Sequence, residues 1–242
     1  MFPYDTALET ALQTEPRTIA DVLGMMKTID SICAANDGLR WFNWLYMQVT
    51  QAVEQGVAAG GFHDPAWLAA LDVEFASYYF HALRDYLGGA ACPDTCPGCW
   101  AAVFAVRDQA QIARIQFALA GMNAHINHDL PQAIVQTCRS TKITPQHGTP
   151  QYEDYTALNA PMDALVEAAK QTLAVRLPGD ALPEVSHLED TIAAWDVAAA
   201  RESAWLTAEA LWLEAPAVID VHLKILDGLT TVISKTLLVP AP

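Results

Sequence analysis

Apolar residues recur at helical spacing along nearly the whole chain, and this pattern most constrains what the chain can fold into. Between residues 38 and 59 an apolar side chain returns every three or four positions, as on one buried face of a helix. That row consists of Leu39, Phe42, Tyr46, Val49, Val53 and Val57. No run alternates apolar and polar residues for long enough to indicate a strand. The chain is therefore predicted to be all-α.

Helix breakers divide the chain into segments of ordinary helix length. Gly60-Gly61, Asp64-Pro65 and Pro216 stand between periodic segments, where glycine, proline and capping residues end or begin helices. The predicted helices cover 18–33, 38–59, 65–87, 99–139, 151–176, 188–213 and 216–237. Mostly short loops join them and no repeat is visible, so we expect a single helical-bundle-like domain of about seven helices over residues 1–242.

The amino-acid composition limits the classes of molecule that the protein is expected to bind. The 242 residues are 52% hydrophobic and carry a net charge of −15, from 28 acidic and 13 basic side chains. Such a charge opposes binding to nucleic acid and to anionic lipid. No apolar run is long enough to span a bilayer, and the first residues lack the pattern of a secretory signal. We expect a cytoplasmic protein that binds a small molecule rather than nucleic acid or a membrane, with its oligomeric state left open.

One polar cluster interrupts the predicted helix 99–139. Its residues include His125, His128 and Asp129, which project within about one third of the helix circumference at about 100° per residue. Asn123 and Asn127 lie one turn apart on another face. Polar groups in an apolar helix must be hydrogen-bonded or bind something. Proline at position 131 lacks a backbone N–H, so we also expect a kink between residues 127 and 131 in this central helix.

Two charged residues on other helices are predicted to be buried beside this cluster. Asp72 falls within an apolar row that includes Leu68 and Phe75, and Arg201 shares a face with Trp205 and with alanines. A buried carboxylate is costly unless it is paired, protonated or metal-bound. A buried arginine is suited to a carboxylate partner or to an anionic substrate group.

The first functional hypothesis is metal-assisted hydrolysis of a small or acyl-type substrate. Asp72, His125 and Asp129 would hold a divalent zinc, manganese or iron ion, and His128 would move protons to and from a bound water. The predicted catalytic residues are therefore His125, His128, Asp129 and Asp72. The predicted substrate-binding residues are Asn43, Tyr46, Tyr79, Asn123, Asn127 and Arg201.

Two alternatives stay open beside this hypothesis. In the first, a histidine and Asp129 act without a metal as an acid/base pair in a cyclase, isomerase or hydrolase of an apolar metabolite, as in secondary metabolism. In the second, the cluster is a structural polar network in a binding or scaffold protein. A shared cation predicts ligand atoms of Asp72, His125 and Asp129 about 3–4 Å apart. A structural network predicts direct hydrogen bonds of about 2.7–3.2 Å.

Three cysteines match the spacing of an iron–sulfur motif. Cys92, Cys96 and Cys99 have the CxxxCxxC arrangement that radical S-adenosylmethionine enzymes use for a cluster. Those enzymes place the motif near the start of an α/β barrel, and this chain shows no alternation of strands and helices. Three free thiols, or a loop that binds zinc adventitiously, are the favoured interpretation.

The central string Asn-Ala-His-Ile-Asn-His-Asp-Leu-Pro, residues 123–131, resembles the hallmark of an uncharacterised bacterial family, a domain of unknown function. The resemblance extends to residues 71–75, to Asp154 and Asn159, and to Arg201 with Trp205, and it covers about residues 30–215. It brings no established activity. It implies that the polar positions singled out by helical geometry belong to one site.

Overall fold

Helices account for all the regular secondary structure in the part of the chain that the computed structural model describes, residues 2–89, 95–174 and 196–240, which confirms the all-α class. The first helices are α1 (Asp5–Ala11), α2 (Ile19–Ile32), α3 (Leu39–Ala59), α4 (Pro65–Leu87) and α5 (Gly98–Phe104). The central ones are α6 (Arg114–Ala124), a π-helical turn (His125–Asp129) and α7 (Leu130–Thr141). The last are α8 (Pro150–Ala157), α9 (Asn159–Ala174), α10 (Val197–Leu213) and α11 (Pro216–Leu237).

Capping side chains explain why several predicted helices have the observed bounds. At the start of α2, the Thr18 hydroxyl accepts a hydrogen bond from the Asp21 amide, and the Asp21 carboxylate accepts one from the Thr18 amide. The Asp64 carboxylate accepts from the Trp67 amide at 3.0 Å, at the start of α4. These bonds satisfy amides that a helix leaves unpaired in its first turn. The predictions for α2, α3, α4 and α11 are confirmed to within a residue.

The predicted helix 99–139 is wrong in its first part, because the chain leaves the helix after Phe104 and re-enters it at Arg114. No glycine or proline marks this break. Tertiary contacts impose it: the buried Arg107 guanidinium forms ion pairs with Asp37 at 2.6 Å and Asp5 at 3.0 Å. The Gln116 side chain then accepts from the Ala113 amide at 2.7 Å and begins α6.

Three other boundaries differ from the prediction. The segment predicted as 151–176 is divided at Leu158, and Pro161 lies in the first turn of α9, where its missing N–H costs no hydrogen bond. Helix α1 was not predicted. In the segment predicted as 188–213, residues 188–195 lie outside the described residues, and α10 begins at Val197.

The continuous segment from α6 to α7 lies in the centre of the core. All residues of α6 from Ile115 onward are buried, and α6 contacts α3, α5, α9 and α11, while α7 contacts α4 and α10. A Cβ atom added at Gly121 would lie 2.4 Å from the Phe42 ring, so this glycine allows α3 to pack closely on α6. The prediction of a central helix that touches at least three others is confirmed.

The kink predicted before residue 131 takes the form of the π-helical turn. The Leu130 amide donates to the His125 carbonyl five residues earlier, one residue more than in an α-helix. Pro131 follows directly, and its ring crowds the carbonyl four residues before it, which favours the wider turn.

Among the residues that the structure describes, no helix combines the length and apolarity needed to cross a membrane.

Candidate functional site

Asp129 is the centre of a buried hydrogen-bond network in the π-helical turn. Its carboxylate accepts from the indole N–H of Trp100 at 2.8 Å, from Nδ1 of His125 at 2.9 Å and from Nδ1 of His128 at 2.8 Å. Burial alone raises the pKa of Asp129, but the hydrogen bonds from the two imidazoles outweigh burial and lower it below its usual value. Asp129 is therefore ionised, and both histidines donate to it through Nδ1.

His125 lies in a pocket of aromatic rings. The Phe75 ring stacks on its imidazole with centroids 3.5 Å apart and planes at 5°, and the Tyr46 ring is 4.4 Å away. Burial lowers the pKa of His125, although Asp129 opposes this effect. Among the described residues, its Nε2 atom has no hydrogen-bond partner. His125 is thus a neutral imidazole with a free lone pair inside the core.

The pKa of His128 is shifted in the opposite direction to that of His125. Burial lowers the pKa of His128, but the hydrogen bond and the charge of Asp129 outweigh burial and raise it above its usual value. Because Nδ1 is held by Asp129, Nε2 is the nitrogen available to a ligand. The amide of Gln132 contacts that nitrogen at 3.5 Å and donates to the His128 backbone carbonyl at 2.9 Å.

A small cavity is lined by Phe75 and Tyr46, the two rings that also contact His125. Its volume is about 30 Å³, enough for one water molecule. Its polar wall is formed by Asp72, Tyr46 and Arg201, and the remaining wall is mostly apolar. The apolar and aromatic lining residues are Val49, Val53, Leu68, Leu71, Phe75, Leu130, Tyr155, Leu158 and Met162.

Asp72 is buried as predicted, with 8% of its surface exposed. Burial, with a smaller contribution from the charge of Glu54, raises the pKa of Asp72 to about 7. Its Oδ2 atom and the hydroxyl of Tyr46 have no hydrogen-bond partner within the described part of the chain. A buried polar atom without a partner is costly, and such atoms in native proteins call for a ligand or a water.

Arg201 is also buried, with 4% of its surface exposed. The sequence suggested a carboxylate partner, but in the described ranges its guanidinium bonds to the Asn159 side chain at 2.7 Å and the Tyr155 carbonyl at 2.7 Å. It also lies over the Tyr155 ring at 3.9 Å. Burial lowers the pKa of Arg201, with partial opposition from Tyr155 and the charge of Asp163. Within the described ranges, the cavity is therefore lined by a cation that is not paired with a carboxylate.

The predicted substrate-binding asparagines join helices instead of lining the cavity. Asn123 donates to the Thr230 carbonyl at 3.0 Å and to the Ser234 hydroxyl at 2.9 Å, both on α11. Asn127 donates to Asn123 at 2.9 Å.

Asn43 and Tyr79 are likewise engaged inside the core. Asn43 donates to the Met26 carbonyl at 2.9 Å and accepts from the Tyr79 hydroxyl at 3.4 Å. Of the six predicted binding residues, Tyr46 and Arg201 line the cavity.

The predicted metal ligands are not brought together as one set. His125 and Asp129 are joined by a direct hydrogen bond, and Asp72 forms no ligand cluster with them in the described residues. A different group meets the geometric requirement there: Cys99, His128 and Asp227, whose ligand atoms lie within 4.8 Å of one another. Cys92 lies outside the described residues, and Cys96 is half-buried and not part of this group.

Sequence reasoning missed Asp227 and the indole of Trp100, and it placed Cys99 in the cysteine loop rather than beside His128. The signal for Asp227 was available: with Thr230 and Ser234 it forms a polar row at helical spacing inside an apolar helix. Asp227 accepts from the Gly98 and Cys99 amides, each at 2.9 Å. The contacts of Trp100 and Cys99 depend on how α5 packs, which spacing does not reveal.

The chain belongs to a family of unknown function (DUF5995), whose sequence profile matches residues 19–240. The resemblance inferred from the sequence to an uncharacterised family is thereby confirmed. Neither the curated proteins nor the solved structures contain a match to the chain. The family brings no activity, so the function must be argued from the site.

Proposed function

We propose that the chain is an acid/base enzyme that acts on a small, mostly apolar molecule carrying a carboxylate or carbonyl oxygen. The observation that carries the proposal is a pair of buried titratable groups, Asp72 and His125, each with an atom that lacks a partner in the described ranges. Phe75 and Tyr46 contact His125 and also line the cavity that contains Asp72. These two rings therefore connect the surroundings of the two groups.

Their pKa shifts suit proton transfer near neutral pH. With a pKa of about 7, Asp72 is protonated in half of the molecules at that pH and can serve as a general acid. His125 has a lowered pKa and stays neutral, so its Nε2 can accept a proton. Environments that shift the pKa values of two titratable groups in opposite directions are typical of acid and base pairs in active sites.

The rest of the cavity indicates the kind of substrate. Its mostly apolar wall favours a hydrocarbon body. The Arg201 guanidinium, which bonds to no carboxylate in the described part of the chain, favours an oxygen with negative or partial negative charge. A volume of about 30 Å³ holds no more than a water, so a substrate must displace side chains. Movement of Phe75 would join the cavity to the His125 pocket.

Metal-assisted hydrolysis at Asp72, His125 and Asp129 has less support. Among the described residues, Asp72 forms no ligand cluster with His125 and Asp129, and Nδ1 of His125 is already bonded within the Asp129 network. Acid/base chemistry uses the atoms that lack partners and leaves this network intact.

The test measures proton exchange, which needs no knowledge of the full reaction. The protein is incubated in D2O with a panel of apolar monocarboxylic acids and ketones, and deuterium uptake at carbon is followed by NMR. We expect uptake into some members of the panel by the wild-type protein and at least a hundredfold slower uptake by Asp72→Asn and His125→Asn. Arg201→Lys should weaken binding of the same compounds.

Glu153→Gln, which neutralises a carboxylate exposed by 58%, is the matched control and should exchange at the wild-type rate. Equal uptake by wild type and Asp72→Asn would contradict the proposal. Binding without any exchange would indicate a binding protein.

A further inference from the structure

We propose that Cys99, His128 and Asp227 form a zinc site that joins α5, the π-helical turn and α11. The three residues come from segments far apart in the sequence, yet their potential ligand atoms lie within 4.8 Å of one another. Sulfur, imidazole nitrogen and carboxylate oxygen are the ligand types that zinc uses in proteins. The site is separate from the acid/base cavity, which is lined by other residues.

The surroundings of His128 supply a second, independent observation. Histidines that bind metals almost always donate their other ring N–H to a carboxylate or carbonyl, which fixes the ring and its tautomer. His128 has this arrangement already, because Nδ1 donates to Asp129 at 2.8 Å. Nε2 of His128 therefore keeps its lone pair and is oriented by the bond at Nδ1, as in a metal ligand.

Asp227 is oriented in a comparable way. Its two oxygens accept from the Gly98 and Cys99 amides, which holds the carboxylate against the start of α5. A Cβ atom at Gly98 would lie 2.8 Å from the Thr231 hydroxyl and 3.1 Å from Asp227, so the lack of a side chain at Gly98 favours this close approach. Without a metal, these bonds act only as a cap for α5. Capping alone does not explain why a cysteine and a histidine with a fixed tautomer lie at the same place.

The site has three protein ligands, so a tetrahedral zinc ion would take its fourth ligand from solvent. A tetrahedral zinc site with bonds of about 2.0–2.3 Å has ligand atoms about 3.3–3.8 Å apart, so the three side chains would approach one another by about 1 Å. Cys99 binds as the thiolate and its proton passes to solvent. One thiolate and one carboxylate then balance the charge of the zinc ion.

The test uses Co²⁺ and Zn²⁺ on full-length protein from which tags and metals have been removed. One equivalent of Co²⁺ should produce the intense visible bands of a tetrahedral site and a thiolate-to-cobalt charge-transfer band. Cys99→Ser should abolish the charge-transfer band and weaken zinc binding, measured by competition with a chromophoric chelator, at least a hundredfold. Asp129→Asn should weaken it about ten- to a hundredfold through His128.

Cys96→Ser and Cys92→Ser are matched controls, because they remove neighbouring thiols that the proposal leaves out. Both should keep the band and the wild-type affinity. Loss of binding in these two variants would overturn the proposal in favour of a cysteine-only loop. Binding of less than a tenth of an equivalent by the wild-type protein, or an unchanged band in Cys99→Ser, would also overturn it.

Discussion

The protonation of Asp72 should make the stability of the fold depend on pH. Its pKa is about 7 in the folded protein against an ordinary value of 3.8, so the folded state binds the proton more tightly than the unfolded state. The stability that this group contributes is complete below about pH 4 and is lost as pH rises through 7. Three pKa units correspond to about 4 kcal/mol in total.

At about pH 5 part of this stability has already been lost, because Asp72 is mostly ionised in the unfolded chain at that pH. Between about pH 5 and about pH 8.5 the remaining loss is about 2.5 kcal/mol. In Asp72→Asn this contribution disappears, since the amide does not titrate. The free energy of unfolding of the variant should therefore fall by about 2.5 kcal/mol less than that of the wild type over the same interval.

Urea denaturation of both proteins at the two pH values measures this difference. Other titrating groups affect both proteins alike, so the comparison isolates Asp72. Gly24→Ala in α2, which changes no titratable group, should retain the wild-type pH dependence. If Asp72→Asn and wild type lose the same free energy between the two pH values, Asp72 has no raised pKa. The acid/base argument then fails with it.

Further variants test the packing and the polar network. Asp129→Asn should destabilise the fold by about 3–5 kcal/mol in thermal or chemical denaturation, because it removes the charge that three buried N–H donors share. Gly121→Ala should cost about 1–3 kcal/mol, since the added Cβ would lie 2.4 Å from the Phe42 ring. Gly24→Ala in α2, which meets nothing within 4 Å, should instead stabilise by about 0.5–1 kcal/mol. Zinc at a hundred times its dissociation constant should add about 2.7 kcal/mol to the unfolding free energy of the wild type and no more than about 0.4 kcal/mol to that of Cys99→Ser, which binds it at least a hundredfold more weakly.

Local signals were sufficient for much of the fold. Helix α4 begins and ends where Asp64-Pro65 and Gly88 predict, because capping and the missing N–H of proline act within one turn. The distortion before Pro131 follows from the same local chemistry. The break after Phe104 could not be predicted, since an ion pair between Arg107 and residues far away in sequence imposes it.

In the candidate site, too, some features could be predicted from the sequence and others could not. Burial of Asp72 and Arg201 follows from their positions in apolar rows, and the structure confirms both. What these side chains contact depends on the relative rotation and height of packed helices, which no single helix determines. Arg201 accordingly contacts Asn159 and Tyr155 rather than a carboxylate.

Asp129 connects the two proposed sites through its hydrogen bonds. One ionised carboxylate holds the proton on Nδ1 of both His125 and His128, which leaves Nε2 of each ring as an acceptor. One acceptor lies in the aromatic pocket beside Phe75, and the other is available to zinc. An Asp129 variant would disturb both sites and could not separate the proposals. Cys99→Ser leaves the contacts of His125 intact, and Asp72→Asn leaves those of His128 intact, because neither residue bonds to the other histidine. Loss of metal binding without loss of proton exchange, and the reverse, would therefore show that the two sites act independently.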